Sequence, residues 1–154
     1  MPVIVPNLWF DTEAEEAAAF YCGVFPNSRV LQVLRYTDAG PGEPGSVLTV
    51  EWELDGQRFV GINGGPHFTF SEAVSLQVDC ADQAEVDRYW DALTADGGEE
   101  GRCGWLKDRY GVSWQVVPVE LVALLAGDRA AAVSSALYGM RKLDRAALQA
   151  AAAG

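Results

Sequence analysis

One histidine, His67, is all the imidazole this chain has. A lone imidazole without a partner histidine makes a poor metal site, although it is the side chain whose unperturbed pKa lies nearest neutrality. Cysteine is also scarce. Cys22, Cys80 and Cys103 are odd in number and form no Cys-x-x-Cys pair, which argues against a disulfide framework and makes the cytoplasm the expected compartment. Basic residues are few: 11 Lys and Arg stand against 22 Asp and Glu, a net charge of −11. Nucleic-acid binders need a basic face, and anionic membranes attract one, so neither partner is expected. No apolar run is long enough to span a bilayer. The first residues lack the basic region and apolar core of a signal peptide.

What is present is the balance of a soluble globular protein, 49% hydrophobic and 21% charged over 154 residues. That length is expected to form one domain with a sizeable core. Val3 to Phe10 reads as a first strand. Thr12-Glu13-Ala14-Glu15 fits a capping box, and Ala17, Phe20, Tyr21 and Val24 continue it at helical spacing. Arg29 to Tyr36 alternates as a second strand, and Asp38 to Gly45 is a loop by composition. Val47 to Leu54 and Gln57 to Ile62 flank Asp55-Gly56, a two-residue hairpin signal because both positions favour positive φ.

The stretch Asn63 to Val78 reads as a joint, since Gly64, Gly65 and Pro66 break the incoming strand and the same order then begins again. Ala73 to Asp79 is strand. Asp82-x-x-Glu85 starts a helix whose apolar face is Val86, Tyr89, Trp90 and Leu93, and Gly97-Gly98 stops it. Short strands follow near Glu99–Arg102 and Gly104–Arg109, then Val112 to Val117 closes at Pro118. The internal repeat predicts an α+β fold of paired β-α-β-β-β modules, residues 3–64 and 73–118. Residues 119–154 form a helical C-terminal extension: Glu120–Leu125, a helix started by Asp128, and one started by Asp144.

Several stretches together resemble a known family. They are Asn63-Gly64-Gly65-Pro66 with Phe68 and Phe70, Ser75-Leu76-Gln77-Val78, and Gln83-x-Glu85-Val86-Asp87-x-Tyr89-Trp90-x-x-Leu93. The most specific runs from Cys103 through Trp105, Lys107-Asp108-Arg109-Tyr110-Gly111 and Trp114-Gln115 to Pro118, and Met140-x-Lys142-Leu143-Asp144 follows. Over nearly the whole chain this resembles the PhnB-like, "3-demethylubiquinone 3-methyltransferase-like" branch of the vicinal oxygen chelate superfamily. The resemblance implies that the modules form a cupped, antiparallel-rich mixed sheet of the glyoxalase-like kind, usually in a homodimer. It also implies a divalent metal held by His or Glu on the first, fourth, fifth and eighth strands. Here those positions fall near Val5 or Asn7, Gly61 or Asn63, Ala73 or Ser75, and Gln115, none of them His, Asp, Glu or Cys. Neutral amides hold a hard dication weakly, so no metal and no other cofactor is expected. The methyltransferase label gains nothing from the residues, because Asp11-Thr12-Glu13 follows the first strand where a Gly-rich loop would be needed.

Two readings follow. One is a protein that binds a small organic molecule in a metal-free cup. The other is an enzyme on a small organic substrate, of isomerase, dioxygenase or transferase type, with His67 as general base. The expected lining is Asn7, Trp9, Asn63, Ser75, Gln77, Trp105, Trp114 and Gln115. The tryptophans suit an apolar or ring-bearing ligand, but they also fill cores. The amides and Ser75 are polar side chains on apolar strands, either converging on a ligand or simply facing water. His67 also fits a loop histidine that only hydrogen-bonds locally. Cys103 reads as a small packed residue, and Asp108 as a cap on backbone N–H groups before the Tyr110-Gly111 turn.

Overall fold

The computed structural model describes residues 2–154, which divide into two compact units with the boundary between residues 69 and 70. The boundary falls inside the stretch read as a joint. The first unit runs β1 (Asn7–Phe10), α1 (Ala14–Val24), β2 (Ser28–Arg35), β3 (Val47–Leu54) and β4 (Gln57–Asn63). The second runs β5 (Ser75–Cys80), α2 (Gln83–Thr94), β6 (Glu99–Glu100), β7 (Trp105–Lys107) and β8 (Ser113–Pro118). Helices α3 (Leu121–Leu125), α4 (Ala130–Tyr138) and α5 (Arg145–Ala153) end the chain. Each unit has a four-stranded mixed sheet, ordered β1-β4-β3-β2 and β5-β8-β7-β6. In each, the first strand runs parallel to the last and the other pairs are antiparallel. The repeat read from the sequence is therefore a repeat of topology.

In the first unit α1 lies close on its sheet because the facing residues are small. Ala14, Ala17 and Ala18 are buried beneath it. At Gly61 an added Cβ would stand 3.0 Å from both Ala14 Cβ and the Trp52 ring, so a larger residue would have to push one of them away by a few tenths of an ångström. Tyr21 stacks on Trp52, and Trp52 on Phe59, with ring centroids 6.0 and 5.8 Å apart. In the second unit Val86, Tyr89, Trp90 and Leu93 of α2 are buried, as are Leu106, Trp114 and Val116 on the sheet. The C-terminal helices build a cluster of their own from Val117, Leu121, Val133, Leu137, Leu143 and Leu148. Gln83 fastens them to α2 by donating from Nε2 to Leu143 O at 3.0 Å and accepting Arg145 N–H at Oε1, 2.8 Å.

Several boundaries differ from the sequence reading, each for a local reason. β1 begins at Asn7, after Pro6, which has no N–H to give the ladder although its carbonyl accepts the Val60 N–H at 3.0 Å, and β5 begins at Ser75. The helix expected from Thr12 begins at Ala14. The Thr12 capping box does not form; Thr12 N–H instead donates to Glu13 Oε2. The N-terminus of α1 is capped from β4, since Asn63 Oδ1 accepts the buried Ala14 N–H at 2.9 Å. The strands on either side of Cys103 are shorter than expected, because Cys103 (φ 59°) and Gly104 (φ 83°) make a left-handed turn. Asp128 does not cap α4, whose N-cap position is Arg129. The Asp55-Gly56 hairpin (φ 46° and 89°) and the Asp82 cap form as read, and Asp144 caps α5 by accepting the Ala147 N–H at 3.0 Å.

Candidate functional site

In each sheet the alternation of a strand sends one set of side chains under the helix and the other to the opposite face. This decides which expected lining residues are available. On β4 the burial pattern puts Phe59, Gly61 and Asn63 on the helix side and leaves Val60 and Ile62 on the other. Asn63 is thus an anchor. Besides capping Ala14 it donates Nδ2–H to Val47 O at 3.2 Å, and its own carbonyl accepts the Tyr36 hydroxyl at 2.6 Å. Asn7 is exposed, with its amide donating to Val5 O. Trp9 is half-buried on the face turned away from α1. Its indole N–H donates to Gly65 O at 2.9 Å, and its ring meets Phe68 edge-on at 4.8 Å and His67 at 6.5 Å. An added Cβ at Gly64 would fall 2.1 Å from the Trp9 ring, so Gly64 holds that ring against the backbone.

His67 is exposed. It borders a cavity of about 710 Å³ at the open end of β1 and β4, whose lining includes Asp11, Glu15, Glu43 and Tyr36. The first unit thus brings Trp9 and His67 together and keeps Asn63 as a structural fastener beside them.

The second unit divides in the same way. Trp114 lies on the helix side, 3% exposed, and its indole donates to Asp108 Oδ2 at 2.8 Å. It is a core residue and not part of a lining. Ser75, Gln77 and Gln115 share the other face with Trp105. Gln115 donates Nε2–H to Ser75 Oγ at 2.9 Å, while Gln77 is exposed and bonded to Asp79. Next to Trp105 and Gln115 on that face stand Lys107 and Ser113, directly opposite each other across the strands. They line a recess of about 220 Å³ with Trp105, Glu72 and Glu99. Lys107 is ion-paired with Glu72. That ammonium lowers the Glu72 carboxyl below its ordinary pKa, and Glu72 raises Lys107. Ser113 is 1% exposed and its hydroxyl has no hydrogen-bond partner. The sequence reading missed Lys107, Ser113 and Glu72. The signal for the first two was their period-two spacing from Trp105 and Gln115; nothing local pointed to Glu72.

The positions that would hold a divalent metal do not fit one. Gly61 has no side chain to offer, Asn63 is committed to Ala14 and Val47, and Ser75 and Gln115 bond each other. Among the described residues no three His, Cys, Asp or Glu side chains gather where they could hold an ion. The thiols offer no nucleophile at Cys80, whose pKa burial pushes up to about 12. A raised pKa keeps the neutral thiol, so at pH 8 a disulfide reagent is expected to leave Cys80 unlabelled until denaturant is added. Labelling of Cys80 in native protein, read by peptide mass, would contradict this.

Comparison with known proteins agrees with the fold. Residues 2–117 match the family model described as 3-demethylubiquinone-9 3-methyltransferase, so the three C-terminal helices lie outside the match. A Bacillus cereus protein given the same family name, and called PhnB, is similar at 35% identity. The alignment covers 76% of this chain and 99% of that one, with a TM-score of 0.69. Protein PA1353 from Pseudomonas aeruginosa has a similar fold at 20% identity and TM-score 0.64, covering 77% and 98%. So has the fosfomycin resistance protein FosX from Mesorhizobium loti, at 16% identity and TM-score 0.58, covering 82% and 98%. No curated protein matches significantly. No helix among the described residues is long and apolar enough to cross a membrane.

Proposed function

From the premise that this chain belongs to the PhnB-like, 3-demethylubiquinone-9 3-methyltransferase-type family of the vicinal oxygen chelate superfamily, we propose that it binds a small organic molecule without a metal at the site. The ligand rests on the sheet of the second unit, on the side away from α2, where Trp105, Gln115 and Ser75 stand. The observation that carries this reading is the hydroxyl of Ser113, buried without a partner beside Trp105. A buried polar group left unpaired costs about 1–3 kcal/mol, and a ligand atom would relieve that cost. A flat indole next to hydrogen-bonding groups is the usual make-up of a small-molecule site.

The alternative is an enzyme with His67 as base. What favours it is the cavity of about 710 Å³ that His67 shares with Asp11 and Glu43. A general base needs a group that fixes its ring and tautomer, and the ring contact that His67 makes with Trp9, edge-on with centroids 6.5 Å apart, supplies no hydrogen bond to do so. Binding is therefore the stronger reading. A homodimer and a cytoplasmic location belong to the same proposal, supported by the family and by three free thiols.

The test is native mass spectrometry with elemental analysis on protein purified without chelator. The expected result is a dimer carrying an organic mass, with metal far below one ion per chain. Trp105→Ala, at a half-buried position, is expected to lose the organic mass while keeping its circular dichroism spectrum. One metal ion per chain would sink the proposal and return the protein to metal-centred chemistry.

A further inference from the structure

The recess beside Trp105 contains an ion pair that leaves one of its own donors unused. Lys107 holds Glu72, and Glu99 stands opposite Lys107 across the next pair of strands. Glu100, at the same edge, accepts the Trp90 indole N–H at 2.8 Å. Ser113, opposite Lys107 on the other side, is 1% exposed and unpartnered. Glu72 lies on an exposed turn, and its side chain is 60% exposed even when paired.

We infer that this recess takes the carboxylate of a small planar molecule, which replaces Glu72 on Lys107 and also accepts the Ser113 hydroxyl. The inference rests on the ligand face proposed above and names the ligand class. Three points carry it. First, a carboxylate of the chain already occupies the place, which shows the kind of group Lys107 accepts there. Second, the charge count requires exchange. With Glu72 and Glu99 both near one ammonium, a further anion would be repelled, whereas exchanging one carboxylate for another leaves the charge unchanged. Third, the ligand gains a bond that Glu72 does not make. A carboxylate has two oxygens, one for Lys107 and one for the buried Ser113 hydroxyl, and hydrogen bonds to charged acceptors are the stronger ones. The displaced Glu72 returns to water at little cost because it is exposed. The Trp105 indole then flanks a ring attached to the carboxylate, and a volume of about 220 Å³ limits that ring to a small one.

Benzoate and its uncharged analogue benzamide are the probes, titrated calorimetrically into the full chain and into Glu72→Gln, Lys107→Gln and Ser113→Ala. Glu72→Gln is expected to bind benzoate about threefold to fivefold more tightly than wild type, the size of one exposed ion pair removed from competition. Ser113→Ala is expected to weaken benzoate about tenfold, and Lys107→Gln to abolish measurable binding. Benzamide should bind more weakly and show no response to Glu72→Gln. If Glu72→Gln leaves benzoate affinity unchanged or weaker, exchange is wrong. If benzamide binds as well as benzoate, the carboxylate assignment is overturned while the ligand face stands. If neither probe binds any variant, yet the purified protein carries an organic mass that Trp105→Ala loses, this inference alone fails. Glu72 and Lys107 are both exposed by a third or more, so their variants are expected to fold, and a circular dichroism spectrum checks each.

Discussion

Asp108→Ala is expected to destabilise the folded chain by about 3–5 kcal/mol, from three donors each losing a buried acceptor. Asp108 is 2% exposed. Its Oδ1 accepts the N–H groups of Tyr110 at 2.9 Å and Val112 at 3.1 Å, and its Oδ2 accepts the Trp114 indole at 2.8 Å. Its backbone closes the same turn, donating to Val112 O and accepting from Gly111 N. One carboxylate therefore joins the β7–β8 turn to the core tryptophan of the sheet. The conservative change Asp108→Asn keeps an acceptor for one side but must turn its NH₂ toward another donor, at a cost of about 2 kcal/mol. Urea unfolding with an unchanged slope reads both values. A loss below about 1 kcal/mol for Asp108→Ala would show that the turn holds without the carboxylate. The turn also sets the register in which Trp105 faces Gln115 and Lys107 faces Ser113. Probe binding at the recess is thus expected to weaken in this variant along with stability.

Asn63→Ala is expected to cost about 2–4 kcal/mol, because it leaves both the Ala14 N–H and the Val47 carbonyl without their buried partner. The result separates two roles for this residue. A ligand-facing asparagine would lose ligand with little change in stability. A fastener loses stability first, and the Ala14 amide then exchanges with solvent faster than the middle of α1. Asn63→Asp is expected to be no rescue. It keeps an acceptor for Ala14, but it sets a carboxylate oxygen against the Val47 carbonyl and buries a charge. If Asn63→Ala unfolds at the wild-type urea midpoint, the cap from β4 contributes nothing and the lining role is restored.

Much of the architecture was legible because it is written in local chemistry. Asp55-Gly56 demanded a hairpin, and Asp82 and Asp144 announced their helices. Asp108 before Tyr110-Gly111 announced a capped turn, and the recurrence of the strand and helix order announced two modules of one topology. The site was less legible. Trp9, Trp105 and Trp114 look alike as tryptophans on strands, yet Trp114 lies under α2 with Asp108, while Trp9 and Trp105 lie on the faces turned away from α1 and α2. Asn7, Asn63 and Gln115 look alike as amides on strands. Of these, Asn63 caps a helix, Asn7 is in water, and Gln115 bonds Ser75 on an open face.

The reason is that period two states which residues share a face but not which face the helix covers. On β4 both sets are passable as core: Phe59, Gly61 and Asn63 on one side, Val60 and Ile62 on the other. The choice is made by close packing. Gly61 leaves room for Ala14, Asn63 offers an oxygen to the bare end of α1, and those contacts form only when the helix lies on that side. The sequence by itself determined the family, the paired modules, the turns and the acidic, cysteine-poor character of the chain. Only the tertiary structure decided which polar side chains are fasteners and which are free to meet a ligand. A hydrogen bond between residues 49 apart, as from Ala14 to Asn63, has no signature in either segment alone.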